Sequence, residues 1–151
     1  MFGERSRTEQ FQTYQTMSNL FVYGTLLSNK IWKSIVTREY SSDSAVLKGY
    51  ARKKVKGKNY PGLIEQDGSV VEGKIYYDVF EEDFGKLDAY EGEEYARKKV
   101  YVLLESAKNV ECSTYLFKKE YFGRLTKNEW ALIGFLYKKT RINPTALQGG
   151  F

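Results

Sequence analysis

Apolar and polar positions along the chain change their period several times, and each change marks an element. Leu20-Phe21-Val22-Tyr23 is a short continuous apolar run that stops at Gly24, the pattern of a strand buried on both faces and ended by a tight turn. Ile31, Trp32 and Ile35 then recur on one helical face, and Ser28 or Asn29 can cap the short helix they predict. From Ala45 the pattern alternates: Val46, Leu47, Tyr50 and Val55 stand between basic residues. Tyr60-Pro61-Gly62 reads as a turn, Leu63-Ile64 as the next strand, and Asp67-Gly68 as a hairpin signal before Val70-Val71, Ile75, Tyr77 and Val79. Short strands joined by tight turns predict a meander.

A helix interrupts the meander. Phe84, Leu87 and Tyr90 fall at helical spacing behind the acidic first turn Glu81-Glu82-Asp83, and Gly92 supplies a C-terminal stop, so Glu91 falls at the helix end. Val100–Leu104 and Val110–Phe117 are the last clear strands, separated by the polar turn Glu105–Asn109. Thr126-Lys127-Asn128-Glu129 has the form of a capping box and predicts a closing helix carrying Trp130, Leu132, Ile133, Phe135, Leu136 and Tyr137. The expected organisation is a flexible lead-in over residues 1–18, one domain over 19–140 and an irregular tail over 141–151, with no internal repeat.

Composition restricts the chemistry more than the fold. The chain has 151 residues, enough for one domain with a sizeable core, and its 13 Tyr and 9 Phe favour a strand-rich folded protein. It contains no histidine and one cysteine, Cys112. Ser-His-Asp and Cys-His catalysis are therefore excluded, as is a typical zinc site. Cys112, in an alternating strand with no imidazole to activate it, reads as a small buried apolar residue. No apolar run is long enough for a membrane span, which predicts a soluble protein of the cytoplasm. The net charge of +5 leaves nucleic acid open as a partner. Lys48, Arg52, Lys53, Lys54, Lys56 and Lys58 form the most basic stretch; it reads as a solvated strand face and turn.

Two segments can carry chemistry. The Tyr23-Gly24-Thr25-Leu26 turn lies between a strand and a helix start, where unpaired backbone N–H groups can face an anion. Glu91 stands between aromatic residues, where partial desolvation raises a carboxylate toward the range of a useful base. Asp88 lies on the same helical side and reads as a surface acid. The segments FVYGTL, LKGYAR, YPGLI, VEGKIYYDV and LDAYEG with Tyr95, Arg97 and RKKV occur in this order from Leu20 to Phe117. In this the chain resembles the gamma-glutamylcyclotransferase-like group, which includes the AIG2-like proteins and gamma-glutamylamine cyclotransferase.

The resemblance implies an α+β fold, a small mixed and mainly antiparallel β-barrel with peripheral helices. It implies that Glu91 is the catalytic acid/base and that Tyr23, Gly24, Thr25 and Leu26 cradle the substrate, with Tyr60 and Tyr95 at aromatic positions near the cavity. The implied reaction converts a small gamma-glutamyl amine or amino acid to 5-oxoproline and a free amine, with no metal or cofactor. Two alternatives stand beside it: a protein of this fold that binds a small carboxylate or amide without turnover, and a basic module for nucleic acid or a protein partner, for which no recognition motif is present.

Overall fold

A computed structural model describes residues 16–131. Its strands are β1 (Met17–Val22), β2 (Ser42–Val55), β3 (Pro61–Phe80), β4 (Tyr95–Leu104), β5 (Asn109–Phe117) and β6 (Leu125–Glu129), with helices α1 (Asn29–Ile35) and α2 (Glu81–Glu91). Single 3-10 segments cover Thr25–Leu27 and Lys119–Arg124. Residues 1–15 of the expected lead-in, the tail from 141 and the apolar positions 132–137 lie outside the described residues. Met17 and Ser18 already belong to β1.

The strands close on themselves. Pairings run β3-β1-β5-β4-β2 and return from β2 to β3, a barrel-like ring in which only β1 and β5 are parallel. This is the mixed, mainly antiparallel α+β architecture expected from the resemblance. Closure explains why Leu20–Tyr23 is apolar without alternation. Phe21 and Tyr23 point into the ring with Leu47, Leu63, Ile75 and Val102, whereas Leu20 and Val22 point outward to Leu26, Trp32, Phe84 and Leu87. Each face of β1 thus meets its own core, and burial on both sides leaves no polar position. The helices cover the outer face, anchored by Trp32 stacked on Tyr76 at 3.8 Å between ring centroids.

Both helices follow their sequence signals. The Ser28 hydroxyl accepts from the Ile31 amide and caps α1, and Gly92 ends α2 with φ of 86°, its amide donating to the Asp88 carbonyl. The start of α2 is tied to the α1–β2 connection through buried Asp83. Its carboxylate accepts from the Thr37 amide at 3.1 Å, the Thr37 hydroxyl at 3.0 Å and the Tyr40 hydroxyl at 2.6 Å. Cys112 is buried inside the ring, as expected of a small apolar residue, and burial pushes its thiol up to about 12.

Three expectations are corrected. Asp67-Gly68 does not reverse the chain: β3 continues through it, and one β2 residue, Gly49, faces four on β3 between the pairs Lys48↔Val70 and Tyr50↔Glu65. Gly49 and Gly68 both take left-handed backbone, so the signal marks a wide bulge that bends the long β2–β3 ribbon. The reversal itself lies between Val55 and Pro61, and Pro61-Gly62 opens β3 instead of forming the turn.

The third correction concerns Thr126–Glu129, which form strand instead of a helix start. β4 pairs with β2 only at Ala45 and Val46, so the far half of β2 has a free edge, and β6 fills it through Val55↔Leu125 and Lys53↔Glu129. The Thr126 hydroxyl donates to the Lys54 carbonyl at 3.0 Å across this pairing. A non-local edge needing partners overrides a local capping pattern.

Candidate functional site

β1 ends where the outer layer begins, and the chain turns there at a glycine that lies close against the start of β3. A Cβ on Gly24 would lie 2.9 Å from the Pro61 ring, so any larger residue would push the turn and the start of β3 apart. The next residues wind into the 3-10 turn Thr25–Leu27, whose first N–H groups have no acceptor inside it. Arg52, half-buried, fastens the turn from behind, its Nη1 donating to the Tyr23 carbonyl at 2.7 Å and to the Glu72 carbonyl at 3.1 Å. Burial draws this guanidinium below its ordinary value but leaves it a cation.

In front of the turn lies a cavity of about 280 Å³. Its lining includes Tyr23, Gly24, Thr25, Leu26, Tyr60, Glu91 and Tyr95, so every residue singled out from sequence reaches one space. Phe21, Val22, Pro61, Tyr90 and Tyr115 complete the walls. α2 brings Glu91 there with its last turn, and β4 brings Tyr95 four residues later.

The tyrosine hydroxyls are engaged with protein. Tyr23 donates to the Tyr115 carbonyl at 2.5 Å, Tyr95 to the Pro61 carbonyl at 2.5 Å, Tyr60 to the Glu94 carboxylate at 3.1 Å and Tyr115 to the Asp88 carboxylate at 2.6 Å. Tyr90 shares a 2.7 Å hydrogen bond with the Thr25 hydroxyl, joining α2 directly to the turn. Burial pushes all five phenols upward, and for Tyr23, Tyr90, Tyr95 and Tyr115 the Glu91 carboxylate adds to the effect. They act as neutral walls at physiological pH.

Glu91 differs from them. Among the described residues no hydrogen bond or ion pair engages its carboxylate; it opens on the cavity and is otherwise surrounded by protein. Burial, and secondarily the negative charge of Asp88, raises it from its ordinary 4.5 to about 8. The cavity therefore holds one titratable side chain without a protein partner, a carboxylate able to exchange a proton near neutrality.

Asp88 is more than the surface acid read from sequence. It receives Arg97 Nε at 3.1 Å and Nη2 at 3.2 Å, together with the Tyr115 hydroxyl, while Arg97 also reaches Glu81 at 3.1 Å. This knot fixes the last turns of α2 to β4 and β5. Arg97 lay in the quoted motif without an assigned task. Tyr115 gave no local signal, because it enters the site only through the register Arg97↔Tyr115. Of the basic stretch, Arg52 and Lys53 are drawn into structural contacts, the latter with Glu129 at 3.8 Å. Among the described residues no group of three or more His, Cys, Asp or Glu is arranged to hold a metal ion, and no helix is long and apolar enough to cross a membrane.

Fold and cavity together define a class: a small closed sheet with outer helices whose strand–turn–helix corner faces a lone glutamate at the end of another helix. The family described as gamma-glutamyl cyclotransferase, AIG2-like, matches residues 20–132, and the chain belongs to it. It is 31% identical over 130 residues to AIG2-like protein D of Arabidopsis thaliana, covering 80% of this chain and 86% of that protein. A solution structure of another Arabidopsis thaliana protein superposes with a TM-score of 0.68 at 29% identity, over 83% of this chain and 76% of that one. A structure of a gamma-glutamyl cyclotransferase superposes with a TM-score of 0.61 over 68% of each chain; at 16% identity this likeness concerns the fold.

Proposed function

We propose that the protein is a cyclotransferase that converts a small gamma-glutamyl amine or gamma-glutamyl amino acid to 5-oxoproline and a free amine, with Glu91 as general acid/base. The observation that carries this reading is the state of Glu91, the one titratable group of the cavity with no protein partner and raised to about 8. The substrate brings its own nucleophile. Its alpha-amine attacks the gamma carbonyl carbon, a C–N bond closes the five-membered ring, and the gamma C–N bond to the leaving amine breaks. No water is consumed.

The protein must then hold a folded substrate, move protons and stabilise an oxyanion. Glu91 accepts the proton from the attacking ammonium and returns it to the departing nitrogen. The free amides that open the Thr25–Leu27 turn, backed by the charge of Arg52, receive the substrate carboxylate or the developing oxyanion. The rings of Tyr23, Tyr60, Tyr95 and Tyr115 exclude water and favour the curled substrate. Action in the cytoplasm is part of the proposal.

The test is release of 5-oxoproline from gamma-glutamyl-lysine, gamma-glutamyl dipeptides and glutathione by wild type and by Glu91→Gln. Turnover by wild type with loss in the variant supports the reading, and equal rates would remove Glu91 from its role. Binding of these compounds without release would favour a protein of the same family that only binds.

A further inference from the structure

Arg52 is bonded unlike the other arginines. Among the described residues Arg38 pairs with Glu82 at 3.2 Å, Arg97 with Glu81 and Asp88 at 3.1 Å and Arg124 with Glu94 at 2.7 Å, whereas Arg52 forms no ion pair. Its Nη1 donates to two backbone carbonyls, those of Tyr23 and Glu72, and its guanidinium carbon lies 5.6 Å from the Trp130 ring centroid. The carboxylates of Glu129 and Glu72 act on it only through space, from exposed positions. A half-buried cation so placed keeps much of its field, and that field falls on the carbonyls it touches.

The Tyr23 carbonyl is half of a peptide unit whose other half is the Gly24 amide. That unit is trans and planar, so its N–H points opposite to its C=O. Arg52 does not line the tyrosine-walled cavity, whereas Tyr23 and Gly24 do. The carbonyl is thus held by a cation behind the wall, and the amide is turned to the cavity in front. Among the described residues the Gly24, Thr25 and Leu26 amides donate to no protein acceptor, and the Tyr23 carbonyl receives only Arg52. Drawing electron density toward that carbonyl oxygen makes the N–H of the same unit a stronger donor. The cavity walls carry no Lys or Arg of their own, and Glu91 adds a negative charge whenever it ionises. An anion bound at the turn therefore finds its positive charge in Arg52, reached through one peptide.

We propose that Arg52 is a positioning residue acting through the Tyr23–Gly24 peptide, which it polarises so that the turn selects a permanent negative charge, the glutamyl carboxylate, over a neutral group in the same place. This rests on the cyclotransferase reading and deepens it, assigning the Arg52 charge to the bound carboxylate and not to the transient oxyanion. One charge acting across a peptide unit at intermediate dielectric gives a preference of roughly three- to tenfold.

5-Oxoproline and 5-oxoprolinamide, alike in shape and different in charge, probe the turn without turnover. Their binding to the full chain and to Arg52→Lys, Arg52→Gln and Arg52→Met is measured by calorimetry near neutral pH, and the Gly24 amide proton is followed by NMR. Wild type should prefer the anion. Arg52→Gln should lose roughly three- to tenfold of anion affinity while binding the amide as before, and Arg52→Lys should recover much of the loss. The Gly24 proton should move upfield in Arg52→Gln, further in Arg52→Met, and return in Arg52→Lys. If Arg52→Met does not fold, the Gln and Lys variants, which keep a donor, carry the comparison. An anion-to-amide ratio unchanged in Arg52→Gln, a loss shared equally by both ligands, or an unmoved Gly24 resonance would overturn the role. With gamma-glutamyl-glycine the effect of Arg52→Gln should fall mainly on KM; a fall in kcat alone would give the charge to the oxyanion and overturn the assignment. Anion preference without turnover keeps the role of Arg52 and removes the cyclisation, whereas turnover without that preference removes the role and keeps the cyclisation. Absence of both binding and turnover removes both.

Discussion

Glu91 can serve as a base only in its ionised form, and its surroundings oppose that form. With a value near 8, kcat/KM should rise roughly tenfold per pH unit through the acid range and bend near pH 8. Glu91→Gln should lower kcat by about 10²–10⁴-fold and abolish this limb. A pH-rate profile on a good substrate checks both. The same shift acts on stability. Glu91 titrates near 8 in the folded protein and near 4.5 when unfolded, so between these values the folded state holds a proton the unfolded chain has released. Its contribution is complete below about pH 4.5 and is lost as pH rises through about 8. Glu91→Gln cannot ionise, so denaturant midpoints should show the variant gaining on wild type across this window and keeping its advantage above it. A difference independent of pH would contradict the assigned burial of the carboxylate.

At the scale of elements, the site depends on the end of α2 being held by β4 and β5. Asp88 receives Arg97 through two contacts and the Tyr115 hydroxyl, and its charge is the second cause raising Glu91. Asp88→Asn should move the acid limb of kcat/KM to lower pH, because a negative neighbour is removed. Arg97→Ala should move it to higher pH, because the same neighbour loses its counter-charge. Arg97→Lys should restore charge but not the two-point grip, returning the limb toward wild type while leaving a raised KM. Limbs that coincide in all four proteins would show Asp88 and Arg97 to be a structural clamp only. Asp83 offers a contrast. Its carboxylate ties α2 to Thr37 and Tyr40, it does not line the cavity, and Asp83→Ala should cost about 1–3 kcal/mol of stability by removing a buried acceptor and the hydrogen bonds it receives. Denaturant unfolding measures the loss, and the pH-rate limb should keep its position.

For the whole molecule, closure of the ring is the decisive event. β1 must lie between β3 and β5, and the approach of β3 is so close that a Cβ on Gly73 would collide with the Val22 carbonyl and the Phe21 ring. Gly73→Ala should destabilise by about 1–3 kcal/mol, as overpacking does, and should disturb activity because Val22 leads directly into the Gly24 turn. Thermal unfolding and 5-oxoproline release measured on the same preparation report the two effects. Retained stability and activity together would mean that β1 and β3 separate here without cost.

The sequence by itself determined the elements whose reasons are local: the doubly buried run Leu20–Tyr23, the Ser28 cap, α2 with its Gly92 stop, and Glu91 at that stop. It also carried the ordered motifs of the family, and through them the cavity residues Tyr23, Gly24, Thr25, Leu26, Tyr60, Glu91 and Tyr95. Tertiary structure decided what depends on partners distant in the chain. Thr126–Glu129 satisfies a capping pattern yet becomes strand, because the uncovered edge of β2 lies more than 70 residues earlier in the chain. Asp67-Gly68 satisfies a hairpin pattern yet forms a bulge, because β2 continues to pair on both sides of it. Asp88, Arg97 and Tyr115 become one knot only through the β4–β5 register. A caps-and-turns signal states what a segment can do alone, whereas pairing edges and buried charges are satisfied by whichever residues closure of the ring brings to them.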